Sequence, residues 1–178
     1  LTLTENTPAN WTNTSIVCGT DDGTFSVAVG QTVECTVTNV PDAGSITVKK
    51  TTVGGFGTFD YTLSNVGDPN RQVTTSQANN PKAGAPWSVT PGGTYTLDEV
   101  DQAAWAEGDF TCKAAGHQDI TGDMPAITVG PGENWTCEIT NSLRPKITIV
   151  KDANPADGTV FPFTGELGAF GLQDGQNK

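Results

Sequence analysis

Three residues sit on strand-like runs in company that does not suit them: a lysine, a glutamate and an asparagine. Successive side chains of a β-strand face opposite sides of the sheet. In Ile46-x-Val48-x-Lys50, Lys50 therefore shares a face with two β-branched apolar residues. Glu99 stands likewise in Tyr95-x-Leu97-x-Glu99, and Asn141 in Cys137-x-Ile139-x-Asn141. The pattern predicts that all three point inward. Buried charges are costly unless paired, so they are expected to meet. A desolvated lysine sheds its proton more readily and becomes a nucleophilic amine. Asparagine offers a carboxamide carbon, and a buried carboxyl can carry protons between the two. Attack of Lys50 on Asn141, with Glu99 assisting and ammonia leaving, would give an isopeptide bond. Such a reaction occurs once, on the chain itself. His117 is the single histidine and lies near no Ser or Cys nucleophile motif, so no enzyme acting on an external substrate is expected.

The same residue types recur at a spacing of about 100 residues, a common domain size. Leu1-x-Leu3-x-Glu5 parallels the Glu99 run, Cys35-x-Val37-x-Asn39 the Asn141 run, and Ile147-x-Ile149-x-Lys151 the Lys50 run. The expected organisation is the C-terminal half of one β-sandwich repeat over 1–43, a complete repeat over 44–143, and the N-terminal half of the next over 144–178. The first segment carries Glu5 and Asn39 but no lysine, and the last carries Lys151 but no counterpart of Glu99 or Asn141. Their complementarity predicts that the last segment of one chain completes the first of its neighbour, with Lys151, Asn39 and Glu5 meeting between chains. That contact is heterologous and propagates as a head-to-tail homopolymer. The alternative is an excerpt of a longer multi-repeat surface protein, a glycan- or protein-binding adhesin module. A shallow aromatic patch around Trp87 or Trp135 would favour that alternative.

The elements that must position these residues read as all-β, with short alternating runs punctuated by Gly, Pro, Asn and Asp and no sustained helical spacing. In the complete repeat, strands are expected over 45–52, 58–64, 72–75, 87–90, 94–100, 109–113, 126–129 and 134–141. Residues 73–86, with Pro81 and Pro86, read as a long loop. Before it, strands are expected over 1–5, 14–18, 24–29 and 32–39, with a turn at Asp21-Asp22-Gly23. Residues 40–44 read as a linker. After the complete repeat, strands are expected over 147–151, 159–165 and 169–172.

Taken together, the first-strand lysine, the glutamate of Tyr95-x-Leu97-x-Glu99 with Trp105 after it, and the final-strand Thr140-Asn141 resemble the collagen-adhesin B-type repeats. These are the prealbumin-like, SpaA-like domains of bacterial surface adhesins and pilins. The resemblance implies tandem Ig-like or prealbumin-like β-sandwiches. It also implies a Lys50–Asn141 crosslink catalysed by Glu99. The sequence departs from that family in placing Trp11 and Trp105 where the family has a tyrosine after a Pro-x-Gly step, and in its cysteine pairs.

Composition narrows the partners. With 9 Lys+Arg against 20 Asp+Glu and a net charge of −11, clustered cations for phosphate are missing, which excludes nucleic acid as an expected partner. No apolar run approaches the length of a membrane span. The Asp21-Asp22-Gly23 and Asp152-to-Gly158 segments lack the ligand density of a calcium loop, and no metal or cofactor is expected. The 4 cysteines fall as one pair per repeat, Cys18 with Cys35 and Cys112 with Cys137, without the CxxC spacing of zinc sites. Disulfides are expected and imply an oxidising compartment; four buried free thiols are the alternative. The function expected is an extracellular, cell-surface structural protein: a fibre, pilus-like filament or adhesin stalk.

Overall fold

The computed structural model describes residues 1–19 and 23–178. Asp21 and Asp22 of the expected turn lie outside the described residues. All regular structure among the described residues is β, and the chain divides into two compact units, Leu1–Leu143 and Arg144–Lys178.

The first unit begins with an antiparallel hairpin, β1 (Trp11–Cys18) and β2 (Cys35–Pro41). The runs expected as strands over 1–5 and 24–29 contribute one bridge, Thr2 to Thr24. Leu1 and Leu3 remain exposed, so alternation there finds no apolar face to cover. A sandwich follows. Its strands are β3 (Gly44–Val53), β4 (Thr58–Leu63), β5 (Asn70–Thr74), β6 (Lys82–Ala83), β7 (Trp87–Val89), β8 (Thr94–Glu99), β9 (Trp105–Ala106), β10 (Phe110–Lys113), β11 (Ile120–Gly122), β12 (Ala126–Thr128) and β13 (Asn134–Leu143). One sheet runs β11-β10-β13-β3-β6, with β7 also on β3 and β9 also on β13; the other runs β12-β8-β4-β5.

At the centre, β3 and β13 pair in parallel from Ser45 opposite Asn134 to Val53 opposite Ser142. Both strands alternate strictly, and their inward faces (Ile46, Val48 and Trp135, Cys137, Ile139) close on Phe59, Tyr61, Leu97 and Ile127 of the other sheet. This strand pair sets Lys50 beside Ile139 and Asn141 beside Thr52. Trp87 and Trp135 belong to this core, at 1% and 2% exposure. The surface patch that would have favoured a binding module is therefore not formed by them: they fill the interior, and Trp87 donates its indole N–H to the Pro69 carbonyl at 3.2 Å.

The segment expected as a linker is tied at both ends. Asp42 donates its backbone N–H to the Asn10 carbonyl and accepts one from Gly132 at its own carbonyl, each at 2.9 Å, while its carboxylate accepts from the Thr12 hydroxyl at 2.6 Å. Ser45 then donates to the Glu133 carbonyl at 2.8 Å. Gly132 adopts φ 64°, and a Cβ there would come within 2.7 Å of the Asn10 side chain, so a larger residue would push the hairpin off.

Both disulfides form. Cys18–Cys35 joins directly opposed residues of β1 and β2, and Cys112–Cys137 does the same for β10 and β13, with 25 residues of separation. A crosslink closing a loop of that size restrains the unfolded chain by about 3 kcal/mol. A Cys112→Ser/Cys137→Ser chain is therefore expected to lose about 3 kcal/mol, read as a lower denaturation midpoint with a steeper denaturant dependence, since the freed unfolded chain exposes more surface.

The second unit is small. It holds the hairpin β14 (Phe161–Phe163) and β15 (Phe170–Leu172). Its first run pairs with its last residues through Ile149 and Lys178, which exchange backbone hydrogen bonds at 3.1 Å in both directions.

Candidate functional site

Lys50, Glu99 and Asn141 come from β3, β8 and β13, and they meet in the core at one end of the sandwich. Their exposures are 0%, 4% and 2%. The Lys50 ammonium donates to both carboxylate oxygens of Glu99, at 2.9 and 2.6 Å, and Asn141 donates its amide N–H to Glu99 Oε1 at 2.5 Å. Glu99 thus stands between amine and carboxamide, the place required of a proton carrier. Lys50 Nζ also lies 4.1 Å from the centre of the Phe59 ring, whose face favours a cation while keeping water away. Burial pushes the Lys50 amine below its ordinary range, against the pull of Glu99. Burial, reinforced by the negative charge of Glu99, pushes the Tyr61 hydroxyl up. Asn141 Oδ1 is buried without a hydrogen-bond partner. An amide oxygen so placed can accept a proton-bearing carboxyl, which would polarise the carbon to be attacked.

The hairpin holds the corresponding pair in a wetter setting. Asn39 on β2 donates to Glu5 Oε1 at 2.7 Å, and Asn13 on β1 donates to Glu5 Oε2 at 2.5 Å. Asn39 Oδ1 is also buried and unpartnered. Glu5 itself is exposed, against the expectation that it points inward, because no second sheet covers it among the described residues. The bonds from Asn39 and then Asn13 hold its carboxyl below the usual range. Lys151 lies in the second unit, half-buried, 4.1 Å from the centre of the Phe161 ring. The ring contact repeats that of Lys50 over Phe59, while the Lys151 amine donates to the Asp152 carbonyl.

Three participants were not singled out from the sequence. Phe59 and Phe161 lead the runs Phe59-x-Tyr61 and Phe161-x-Phe163, a parallel visible once the repeat is aligned. The third is Glu107. β9 pairs with β13 through Ala106 opposite Ser142 and Trp105 opposite Leu143, and that register continued places Glu107 opposite Asn141. The approach is close at the next residue, where a Cβ on Gly108 would fall 2.6 Å from the Thr140 carbonyl oxygen. Glu107 is half-buried and its carboxyl is pushed up to about 7, first by burial and then by Glu99, Asp123 and Asp101, with Lys50 opposing.

A raised carboxyl has a stability consequence. Between its unfolded value near 4.5 and its folded value of about 7, the folded state holds the proton more tightly, so stability falls as pH rises through that window. Glu107→Gln is expected to raise the melting temperature by a few degrees at pH about 8 and to leave it unchanged at about 4; calorimetry at both values checks this.

No curated protein matches the sequence. Among solved structures, the chain is similar to a variant of the major pilin of Streptococcus pyogenes (13% identity, 65% of this chain and 56% of that chain, TM-score 0.38). It is also similar to the T-13 major pilin of Streptococcus pyogenes (13%, 61% and 48%, 0.41) and the T3.2 major pilin of the same organism (15%, 63% and 53%, 0.38). The chain thus spans about half the length of these pilins. Among the described residues, no helix is long and apolar enough to cross a membrane. Residues 46–143, which carry the buried lysine, glutamate and asparagine, match the family described as the prealbumin-like fold domain, and this chain belongs to that family.

Proposed function

We propose that the protein is a load-bearing structural element of an extracellular surface fibre or adhesin stalk, its sandwich sealed by an isopeptide bond between Lys50 and Asn141. The observation that carries this reading is the buried contact of Lys50, Glu99 and Asn141. In the reaction, Glu99 takes a proton from the ammonium, and the free Lys50 Nζ attacks Asn141 Cγ. A bond forms between Nζ and Cγ, and the bond from Cγ to Nδ2 breaks. Glu99 returns that proton to Nδ2, which leaves as ammonia, and takes the second proton that Nζ sheds on becoming an amide nitrogen, so the carboxyl ends protonated. No cofactor is consumed. Two disulfides suit an oxidising, extracellular setting.

The same chemistry extends to assembly. Glu5 and Asn39 form a carboxylate–carboxamide pair without an amine, and Lys151 over Phe161 is an amine without such a pair. Between copies of the chain, Lys151 would attack Asn39 with Glu5 assisting and extend a head-to-tail polymer. The test is intact mass of the purified chain after reduction and full denaturation. Loss of one ammonia from the monomer is expected, with covalent multimers that lose one more per junction. A monomer of full sequence mass overturns the sandwich crosslink, and a linked monomer that never forms multimers overturns the assembly step alone.

A further inference from the structure

The position opposite the reactive asparagine is occupied twice in this chain, by different chemistry. On the hairpin, Asn13 of β1 lies directly opposite Asn39 of β2, and its amide reaches the carboxylate of Glu5. In the sandwich, extending the β9–β13 register by one residue beyond Ala106 brings Glu107 to the matching place opposite Asn141, consistent with Gly108 against the Thr140 carbonyl. The tryptophan two residues earlier confirms the correspondence, since Trp11 lies opposite Pro41 and Trp105 opposite Leu143. Residues directly opposite on antiparallel strands share a face. Asn141 faces the core, so Glu107 leans toward the same end of the site.

We propose that Glu107 is a positioning residue of the Lys50–Glu99–Asn141 site, setting its proton balance from the strand facing Asn141, where the hairpin uses the fixed amide of Asn13. This rests on the crosslink reading given above. The charged groups that act on Glu107 are Glu99 on β8, Asp101 and Asp123 on the neighbouring loops, and Lys50 on β3. It feels Glu99 more strongly than Lys50. An ionised Glu107 therefore favours moving the proton from Lys50 to Glu99, which creates the neutral amine and the proton-bearing carboxyl that attack requires. A protonated Glu107 removes that bias. The proton exchanged is the one Lys50 gives up, and Glu107 takes no part in the bonds made or broken. Asn13 cannot titrate, so the hairpin half-site lacks this control.

The experiment is refolding of the full chain, produced and held in denaturant so that no crosslink forms, into oxidising buffers from pH about 5 to about 9. Ammonia loss is followed by intact mass after reduction. The native chain should link faster as pH rises, with a midpoint near 7, where Glu107 titrates. Glu107→Gln and Glu107→Asn should fold, link about tenfold more slowly above neutrality, and lose the midpoint; one pKa unit of interaction corresponds to that factor. Glu107→Asp should keep a midpoint. A variant that folds, as judged by near-ultraviolet dichroism, and links with the native rate and pH profile overturns the role of Glu107 alone. Failure of the native chain to link at any pH overturns the crosslink reading and this inference with it.

Discussion

A chain carrying Glu99→Ala is expected to retain its full sequence mass and to lose most of the stability of its sandwich. Two effects add. Without a proton carrier the Lys50 amine and the Asn141 amide stay unjoined, and a restraint closing about 90 residues is absent, worth about 4 to 5 kcal/mol in the chain-entropy account. The substitution also strands Lys50, which is fully buried and ion-paired with Glu99. Breaking a buried ion pair from one side costs about 3 kcal/mol or more. Their sum rivals the whole stability of a typical domain, about 5 to 15 kcal/mol. Glu99→Gln separates the two effects. It keeps a hydrogen-bond acceptor for Lys50 and Asn141 but cannot carry a proton, so it should also stay unlinked while unfolding at a higher denaturant concentration than Glu99→Ala. Intact mass and denaturant unfolding of both variants decide the matter. A Glu99→Ala chain lighter by one ammonia would show that the carboxyl is dispensable.

The second large effect is mechanical. β3 opens the sandwich, β13 closes it, and the two lie side by side in parallel. Load entering at Gly44 and leaving at Leu143 therefore shears the central strand pair. A Lys50–Asn141 bond routes that load from residue 50 to residue 141 and shields everything between. Pulled as a single molecule, the linked sandwich should lengthen by no more than about 40 Å, the reach of the few residues outside the bond. The unlinked Glu99→Ala chain should release up to about 350 Å less the stretch held by Cys112–Cys137. Reductant should return that stretch, about 90 Å, to the unlinked chain. It should do nothing to the linked one, because Cys137 precedes Asn141 and lies within the shielded segment. Release of hundreds of ångströms from a chain shown by mass to be linked would refute this load path.

Much of this was legible in the sequence because period-two alternation is a strong signal on long strands. β3 and β13 alternate over their whole length, and the inward placement of Lys50 and Asn141 follows from counting. The same count was available for Trp135, which shares its face with Cys137, Ile139 and Asn141. That register already argued against a surface patch at this tryptophan. β6, β9 and β11 span only two or three residues. Their existence depends on what β3, β13 and β10 offer as partners, which no local pattern records. Glu107 was hidden for the same reason, since its place opposite Asn141 is a property of the β9–β13 register. Glu5 misled in another way. Its run alternates like that of Glu99, but alternation buries a side chain only where a second sheet supplies the other wall.

The clasp around Asp42 bears on how a tether built from such units would respond before any bond is stretched. A supple hinge coils thermally, and straightening it draws on an entropic spring at low force. Backbone and side-chain bonds at Asp42 hold the hairpin to the sandwich, so this joint has little coil to straighten. Tension entering through the hairpin would reach the central strands of the sandwich without first taking up slack.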